Sequence, residues 1–137
     1  MSRKVSPRPK GFRTVTPVLT VAGAAGAVEF YASVFGAEEG ARIYREDGVS
    51  VAHSELKIGD SQLIVCDENP YFGIHAPTTI GASPVVVHLY LTDIDATWER
   101  AVEAGATGAM VALLIAIVRK SMSFRMRAIS GTDTRMV

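Results

Sequence analysis

The sequence predicts an α+β domain built from two successive β-α-β-β-β units. A β-favouring segment followed by a helix that ends at a glycine occurs twice, about 70 residues apart, at 19–36 and at 89–105. Three strand-like segments separated by turn residues follow the first helix. The chain has 137 residues, of which 48% are hydrophobic and 20% charged, as expected for a single globular domain.

The first unit is predicted to cover residues 13–68, after a flexible basic arm at residues 1–12. Residues 13–21 are rich in Thr and Val, which favour a strand. Residues 22–35 carry apolar side chains at helical spacing, and Gly36 stands where a helix commonly ends. The strands that follow are predicted at 42–45, 49–58 and 61–66, with turns at 47–48 and 59–60.

Residues 69–83 are predicted to form a connecting loop between the two units. Prolines surround Tyr71, Phe72 and His75 in this segment. A loop of this length often covers a functional site. We expect Tyr71 and Phe72 either to close over a ligand or to contact a second subunit, and His75 to lie on the surface or in a lid.

The second unit is predicted to cover residues 84–137. It begins with a strand at 85–91, followed by a helix that Thr92 or Asp93 caps and that Gly105 ends. The apolar positions of this helix predict burial of its core-facing side chains. These positions are Ile94, Trp98, Ala101 and Val102.

The strands that complete the second unit are predicted after residue 109. Residues 110–118 form an apolar run, and residues 121–129 alternate between apolar and polar side chains, as in a half-exposed strand. A helix across 110–129 is the alternative, because Ala, Leu and Met favour helices. We favour two strands because of the alternation.

The charge distribution and the cysteine count narrow the class of protein. The net charge is zero, which argues against a nucleic-acid partner. Residues 14–110 nevertheless hold 13 acidic and four basic side chains, a charge of −9, and the basic residues concentrate at the two ends. A single cysteine, Cys66, and the absence of an apolar run of about 20 residues predict a cytoplasmic protein without membrane contact.

Several motifs in this order resemble the vicinal oxygen chelate superfamily, which comprises glyoxalases, bleomycin-resistance proteins and extradiol dioxygenases. The segments similar to the opening of the superfamily are PVLTV (17–21), AVEFY (27–31) and VFGAE (34–38). The segments that resemble its PhnB-like branch are HSELKIGDS (53–61), CDE (66–68), HLYLTDIDA (88–96) and RAVEAGA (100–106). The resemblance covers residues 14–109. The chain departs from the family after Met110, where the usual Asp-Pro-Phe-Gly-His-x-Trp type of ending is absent.

The resemblance implies two β-α-β-β-β modules whose curved mixed sheets surround a cavity. It also implies a homodimer, in which subunits of some members exchange halves. Some members bind one divalent metal ion and catalyse glyoxalase or dioxygenase reactions. Others lack metal ligands and bind an antibiotic without catalysis.

The metal-ligand positions of the family are not occupied by ligands in this sequence. The first-strand positions of the two modules correspond to about Thr16 and Val86. We therefore expect no catalytic residues and no cofactor. A metal site of different composition would use His53 and Glu55, which share one face of a strand, together with His88.

We therefore expect a binding protein of the bleomycin-resistance type, which sequesters a small aromatic or peptide antibiotic, or a related hydrophobic metabolite, in a dimer cavity. His88 and Tyr90 are expected on the concave side of their strand, facing either the ligand or a partner subunit. The alternatives are a metal-dependent glyoxalase or dioxygenase and a regulatory interaction module. The expected ligand-binding residues are Thr16, Val18, His53, Tyr71, Phe72, His88 and Tyr90.

Overall fold

A computed structural model describes residues 6–106 and the backbone of residues 121–125. Its elements, in chain order, are β1 (Val18–Val21), α1 (Ala24–Phe35), β2 (Glu38–Tyr44), β3 (Val51–Ile58), β4 (Ser61–Asp67), a 3-10 turn (Pro70–Phe72), α2 (Pro77–Ile80), β5 (Val86–Tyr90), α3 (Ile94–Glu103) and β6 (Ser121–Arg125).

The first five elements form a mixed four-stranded sheet with α1 against one face. The strand order is β1-β4-β3-β2, and β1 runs parallel to β4 while the other pairs are antiparallel. This element order is the predicted β-α-β-β-β arrangement. The α+β fold class is therefore confirmed for the part of the chain that the structure describes.

Helix α1 carries much of the apolar core. Its small residues allow close packing on the sheet, and Phe30, Tyr31 and Phe35 form a cluster of rings with centroids 5.9–6.0 Å apart. Burial raises the pKa of the Tyr31 hydroxyl. The helix ends at Gly36, as predicted, because the left-handed φ of 66° at this position suits glycine.

The sheet has one face covered by α1 and a second face that we call the open face. Buried side chains point toward α1 from three of the strands: Leu19, Val21, Ser54, Leu56, Leu63 and Val65. The side chains between them in sequence point the other way because successive residues of a strand alternate. On this open face Val18 is 57% exposed and Ile43 is 56% exposed.

The second half contributes α3 and a two-stranded antiparallel sheet of β5 and β6. Asp93 caps α3, since its Oδ1 accepts the N–H of Ala96 at 3.0 Å, which decides between the two predicted caps. Strand β6 confirms the strand prediction for residues 121–125. The predicted strand at 110–118 and the end of the predicted strand at 126–129 lie outside the described residues.

Two predicted strand starts were wrong by at least four residues. Strand β1 begins at Val18 rather than at residue 13, because the chain turns where the Thr16 hydroxyl donates to the Arg13 carbonyl. Strand β2 begins at Glu38 rather than at residue 42, because register shifts in its pairing with β3 break the alternation. The segment predicted as a connecting loop, residues 69–83, contains two short helical turns.

The predicted burial of α3 is correct for Ile94 and Ala101, which are 6% and 4% exposed. It is wrong for Val102, which is 46% exposed, and Trp98 is only half-buried. The buried stripe contains Thr97 instead, whose hydroxyl donates to the Asp93 carbonyl at 2.7 Å. None of the described helices has the length and apolar character needed to cross a bilayer.

One carboxylate joins α1 to two strands. The Asp67 side chain, at the end of β4, accepts the N–H groups of Gly23 and Ala24 through Oδ1 at 2.8 Å. Its Oδ2 accepts the N–H of Val51, the first residue of β3, at 2.7 Å. Asp67 therefore satisfies backbone donors of two elements that are distant in sequence.

We predict that Asp67→Ala lowers the free energy of unfolding by about 2–4 kcal/mol, because three backbone N–H groups lose a charged acceptor. Urea denaturation followed by circular dichroism measures this change. The control is Asp60→Ala, which removes an exposed carboxylate from the β3–β4 turn and should cost less than about 1 kcal/mol. Equal effects of the two substitutions would contradict the role assigned to Asp67.

Candidate functional site

The open face brings together side chains from all four strands of the first sheet. The register places Val18 beside Ile64, Ile64 beside Glu55, and His53 beside Ile43. Cys66 pairs with Thr20, and its Sγ lies 3.7 Å from the Thr20 Oγ1. The face therefore combines apolar side chains with a small number of polar groups, which is typical of ligand-binding surfaces.

His53 and Glu55 form the central polar pair of this face. The His53 Nε2 lies 3.3 Å from the Glu55 Oε1, and the two side chains are 34% and 31% exposed. An ionised carboxylate only accepts hydrogen bonds, so the Nε2 of His53 donates. In a neutral imidazole this leaves the Nδ1 as an acceptor, which suits it to a ligand N–H or O–H group or to a metal ion.

Among residues 6–106, no three His, Cys, Asp or Glu side chains form a group that could hold a metal ion. His53 and Glu55 come together as the alternative metal site requires. His88 lies instead on β5 of the second sheet, where its ring centroid is 4.9 Å from that of Tyr90. Thr16 is half-buried and Val86 is exposed, and neither offers a metal ligand of the kind expected at its position.

Tyr71 and Phe72 lie at an exposed tip. They are 89% and 71% exposed, and their rings meet edge to face with centroids 5.0 Å apart. The tip is closed by two hydrogen bonds between the backbones of Asn69 and Ile74, of 2.7 and 3.0 Å. The structure thus presents both rings to solvent and does not place either of them against the open face.

A cavity of about 240 Å³ lies between β1 and the segment that connects the two halves. Val18 and Thr20, which belong to the open face, are among the β1 residues that form its inner wall. The remaining lining is His75, Pro77, Ile80, Ala82, Ser83, Pro84 and Val85, together with Leu19 of β1. The cavity is thus continuous with the edge of the open face that β1 forms.

Most residues of the outer wall were not predicted as site residues. His75 alone was expected near a site, as a surface or lid residue. The cluster of prolines at 77 and 84 is a local signal for a rigid, non-strand segment, but it does not say which strand that segment covers. Contact with β1 depends on the tertiary fold.

A second polar cluster lies on the α1 side of the sheet, at the β2 edge. Glu39 accepts hydrogen bonds from Arg42 and from the fully buried Ser54, whose Oγ lies 2.7 Å from the Glu39 Oε1. The hydrogen bond from Arg42 is the largest cause of the lowered pKa of Glu39. The Glu39 carboxylate gives the buried Ser54 hydroxyl a hydrogen-bond acceptor, so we assign this cluster a structural role.

Comparisons with known proteins add relatives of unknown function. No family model matches the chain. Over 96 residues, 68% of the chain, it is 38% identical to uncharacterized proteins of Mycobacterium bovis and Mycobacterium tuberculosis. The matched region spans 62% of the M. bovis protein and 56% of the M. tuberculosis protein.

The solved structure of a gene product from Arabidopsis thaliana is similar to this chain. It has a TM-score of 0.57 and 30% sequence identity, and the match covers 77% of this chain and 84% of that protein. The chain therefore shares the α+β fold of the plant protein.

We predict that divalent cations bind weakly to this protein, because His53 and Glu55 supply two donors where a metal site in proteins commonly uses three or four. Isothermal titration with Ni²⁺ and with Zn²⁺ measures the affinity, and His53→Ala identifies the contribution of the pair. Sub-micromolar binding that is lost in His53→Ala would contradict the prediction. His75→Ala is the matched control, since His75 is an exposed histidine.

Proposed function

We propose that this protein is a bleomycin-resistance-like member of the vicinal oxygen chelate superfamily. It sequesters a small aromatic or peptide antibiotic, or a related hydrophobic metabolite, without catalysis. The observation that carries the proposal is the open face of the first sheet. Among the described residues, no element covers this face in the way that α1 covers the other one.

The chemistry of the open face supports an aromatic ligand. Val18, Ile43 and Ile64 offer half-exposed apolar surface on which a flat ring can pack. His53 adds one oriented hydrogen-bonding group in the same area. The net charge of −9 over residues 14–110 favours ligands that carry positive charge.

The second half of the chain supplies the other side of the cavity in this proposal. The described elements β5, α3 and β6 correspond in this proposal to the first strand, the helix and one later strand of a second β-α-β-β-β module. His88 and Tyr90 of β5 then face the ligand. The complete cavity forms in a homodimer, by pairing or exchange of modules, and the protein acts in the cytoplasm.

A metal-dependent enzyme of the glyoxalase or dioxygenase kind is the second candidate. The His53–Glu55 pair is the observation that favours it, because a histidine and a carboxylate are two of the three donors of a facial triad. This candidate requires a third donor, which His88 would supply from the second module. The metal titration described above separates the two candidates.

We predict that an antibiotic bound on the open face slows alkylation of Cys66. Cys66 is the sole cysteine, so its reaction with iodoacetamide can be followed unambiguously by mass spectrometry. Its half-buried thiol lies on the open face, where a bound ligand would cover it. The ligand panel contains bleomycin and other aromatic and peptide antibiotics, and binding is also measured as a rise in Tm.

A basic substitution on the open face should weaken both effects. In Val18→Lys the ligand would have to bury an ammonium group, and a positively charged ligand would also be repelled, so we expect binding to weaken at least tenfold. Val49→Lys is the control, because Val49 is 76% exposed in the β2–β3 turn. Sequestration on this face would be refuted if no antibiotic protects Cys66 or raises Tm, or if Val18→Lys binds as tightly as Val49→Lys.

A further inference from the structure

The cavity beside β1 has one wall that belongs to the sheet and one that does not. Most of the second wall is residues 75–83, which we call the strap. Residues of the strap line most of the outer side of the 240 Å³ cavity. The opening of the cavity to solvent therefore depends on where the strap lies.

The strap is held at one end by the side chain of Glu68. The Glu68 Oε2 accepts the N–H of Ala76 at 2.9 Å and the hydroxyl of Thr79 at 2.7 Å. Ala76 itself is fully buried, whereas Thr79 and Ile80 are exposed. The Glu68 carboxylate thus binds the strap at Ala76 and Thr79, and the buried methyl group of Ala76 adds a small apolar contact.

The backbone that carries Glu68 is firmly held. The Glu68 N–H donates to the Val21 carbonyl at 3.0 Å, which continues the pairing of β1 with β4. The Glu68 carbonyl accepts a hydrogen bond from Arg45 at 2.8 Å. The sheet therefore provides a fixed base, and the two hydrogen bonds of the carboxylate are the part of the attachment that can break.

Gly81, inside the strap, permits a change of direction. Its φ is 75°, in the left-handed region. No heavy atom lies within 4 Å of the position that a Cβ would take at this residue. Gly81 therefore has the conformational freedom and the space to act as a hinge.

We propose that residues 75–83 are a strap over the cavity beside β1, latched by the Glu68 carboxylate and released when that carboxylate is protonated. The proposal concerns access to the cavity and holds whichever ligand the protein binds. Release breaks the two hydrogen bonds of the carboxylate, turns the chain at Gly81, and exposes the β1 wall of the cavity.

The charged groups around Glu68 fit this role. Within the described residues, His75 of the strap attracts the carboxylate, and Arg45 binds the backbone carbonyls of residues 67 and 68. The neighbouring Asp67 carboxylate is occupied by its three N–H donors, and β1 (VLTV) has no charged side chain.

The hydrogen bond from the Ala76 N–H, followed by that from Thr79, lowers the pKa of Glu68. The latched form is thus fully favoured above the ordinary glutamate range. It is lost as the pH falls through the lowered pKa.

Hydrogen exchange measured by NMR tests the latch directly. Three amides report on the strap. The Ala76 amide donates to Glu68. The Thr79 and Ile80 amides donate to the Ala76 carbonyl, in the short helix that the latch holds. The amide of Leu56, in the core of β3, reports on opening of the whole domain. At pH 6.5 we expect Glu68→Ala to speed exchange of the strap amides roughly tenfold or more, with Leu56 unchanged.

Two further variants complete the test. Thr79→Val removes one of the two hydrogen bonds and should give an intermediate acceleration, which keeps the test decisive if Glu68→Ala does not fold. Glu46→Ala removes an exposed glutamate from the β2–β3 turn and should leave the strap amides unchanged. In the wild type, the protection factors of the strap amides, which correct for the intrinsic pH dependence of exchange, should fall when the pH drops below the ordinary glutamate range, and Glu68→Ala should abolish this pH dependence.

The opposite results would overturn the proposal. Strap amides that stay as protected in Glu68→Ala and Thr79→Val as in the wild type would show that the carboxylate is not the latch. Equal acceleration at Leu56 would show that the whole domain opens rather than the strap. A loss of protection at low pH that persists in Glu68→Ala would assign the pH dependence to another group.

Discussion

The three hydrogen bonds of the Asp67 carboxylate are the interaction on which the first half of the molecule depends. Helix α1 begins at a glycine, has no side-chain cap of its own and carries no acidic residue in its first turn. Asp67 supplies both the missing acceptors and a negative charge at the positive end of the helix dipole. Its third bond, to Val51, fixes the start of β3 against the same point. The position of α1, and hence which face of the sheet stays open, follows from this junction.

The next residue, Glu68, extends the same junction to the candidate site. Arg45 binds the carbonyls of both Asp67 and Glu68, so the backbone at the end of β4 is held from the β2–β3 turn. The two acidic side chains make different connections. Asp67 joins helix to sheet on the covered side, whereas Glu68 joins the sheet to the segment that bounds the cavity. The core and the cavity are therefore built on adjacent residues.

Local signals predicted the parts of the structure that local interactions determine. The glycine at the end of α1, the Asp93 cap of α3 and the turn at Asp47 and Gly48 each satisfy backbone groups within a few residues. Alternation along β3 likewise placed His53 and Glu55 together.

The start of β2 and the outer wall of the cavity could not be predicted from such signals. The first depends on bulges in the pairing with β3, and the second on contacts of residues 75–85 with β1. The roles of Asp67 and Glu68 could not be predicted either. An acidic pair after a strand gives no indication of which distant N–H groups donate hydrogen bonds to it.

The parallel pairing of β1 with β4 imposes an order on folding during synthesis. Thr20 and Cys66, which are neighbours in this pairing, are separated by 46 residues of sequence. Strands β2, β3 and β4 are joined by short turns and can pair as soon as each leaves the ribosome, whereas β1 must wait for the last of them. Until then β1, which carries Leu19 and Val21, has no partner strand. The nascent chain therefore passes through a stage at which the apolar side chains of β1 are open to chaperones and to other chains.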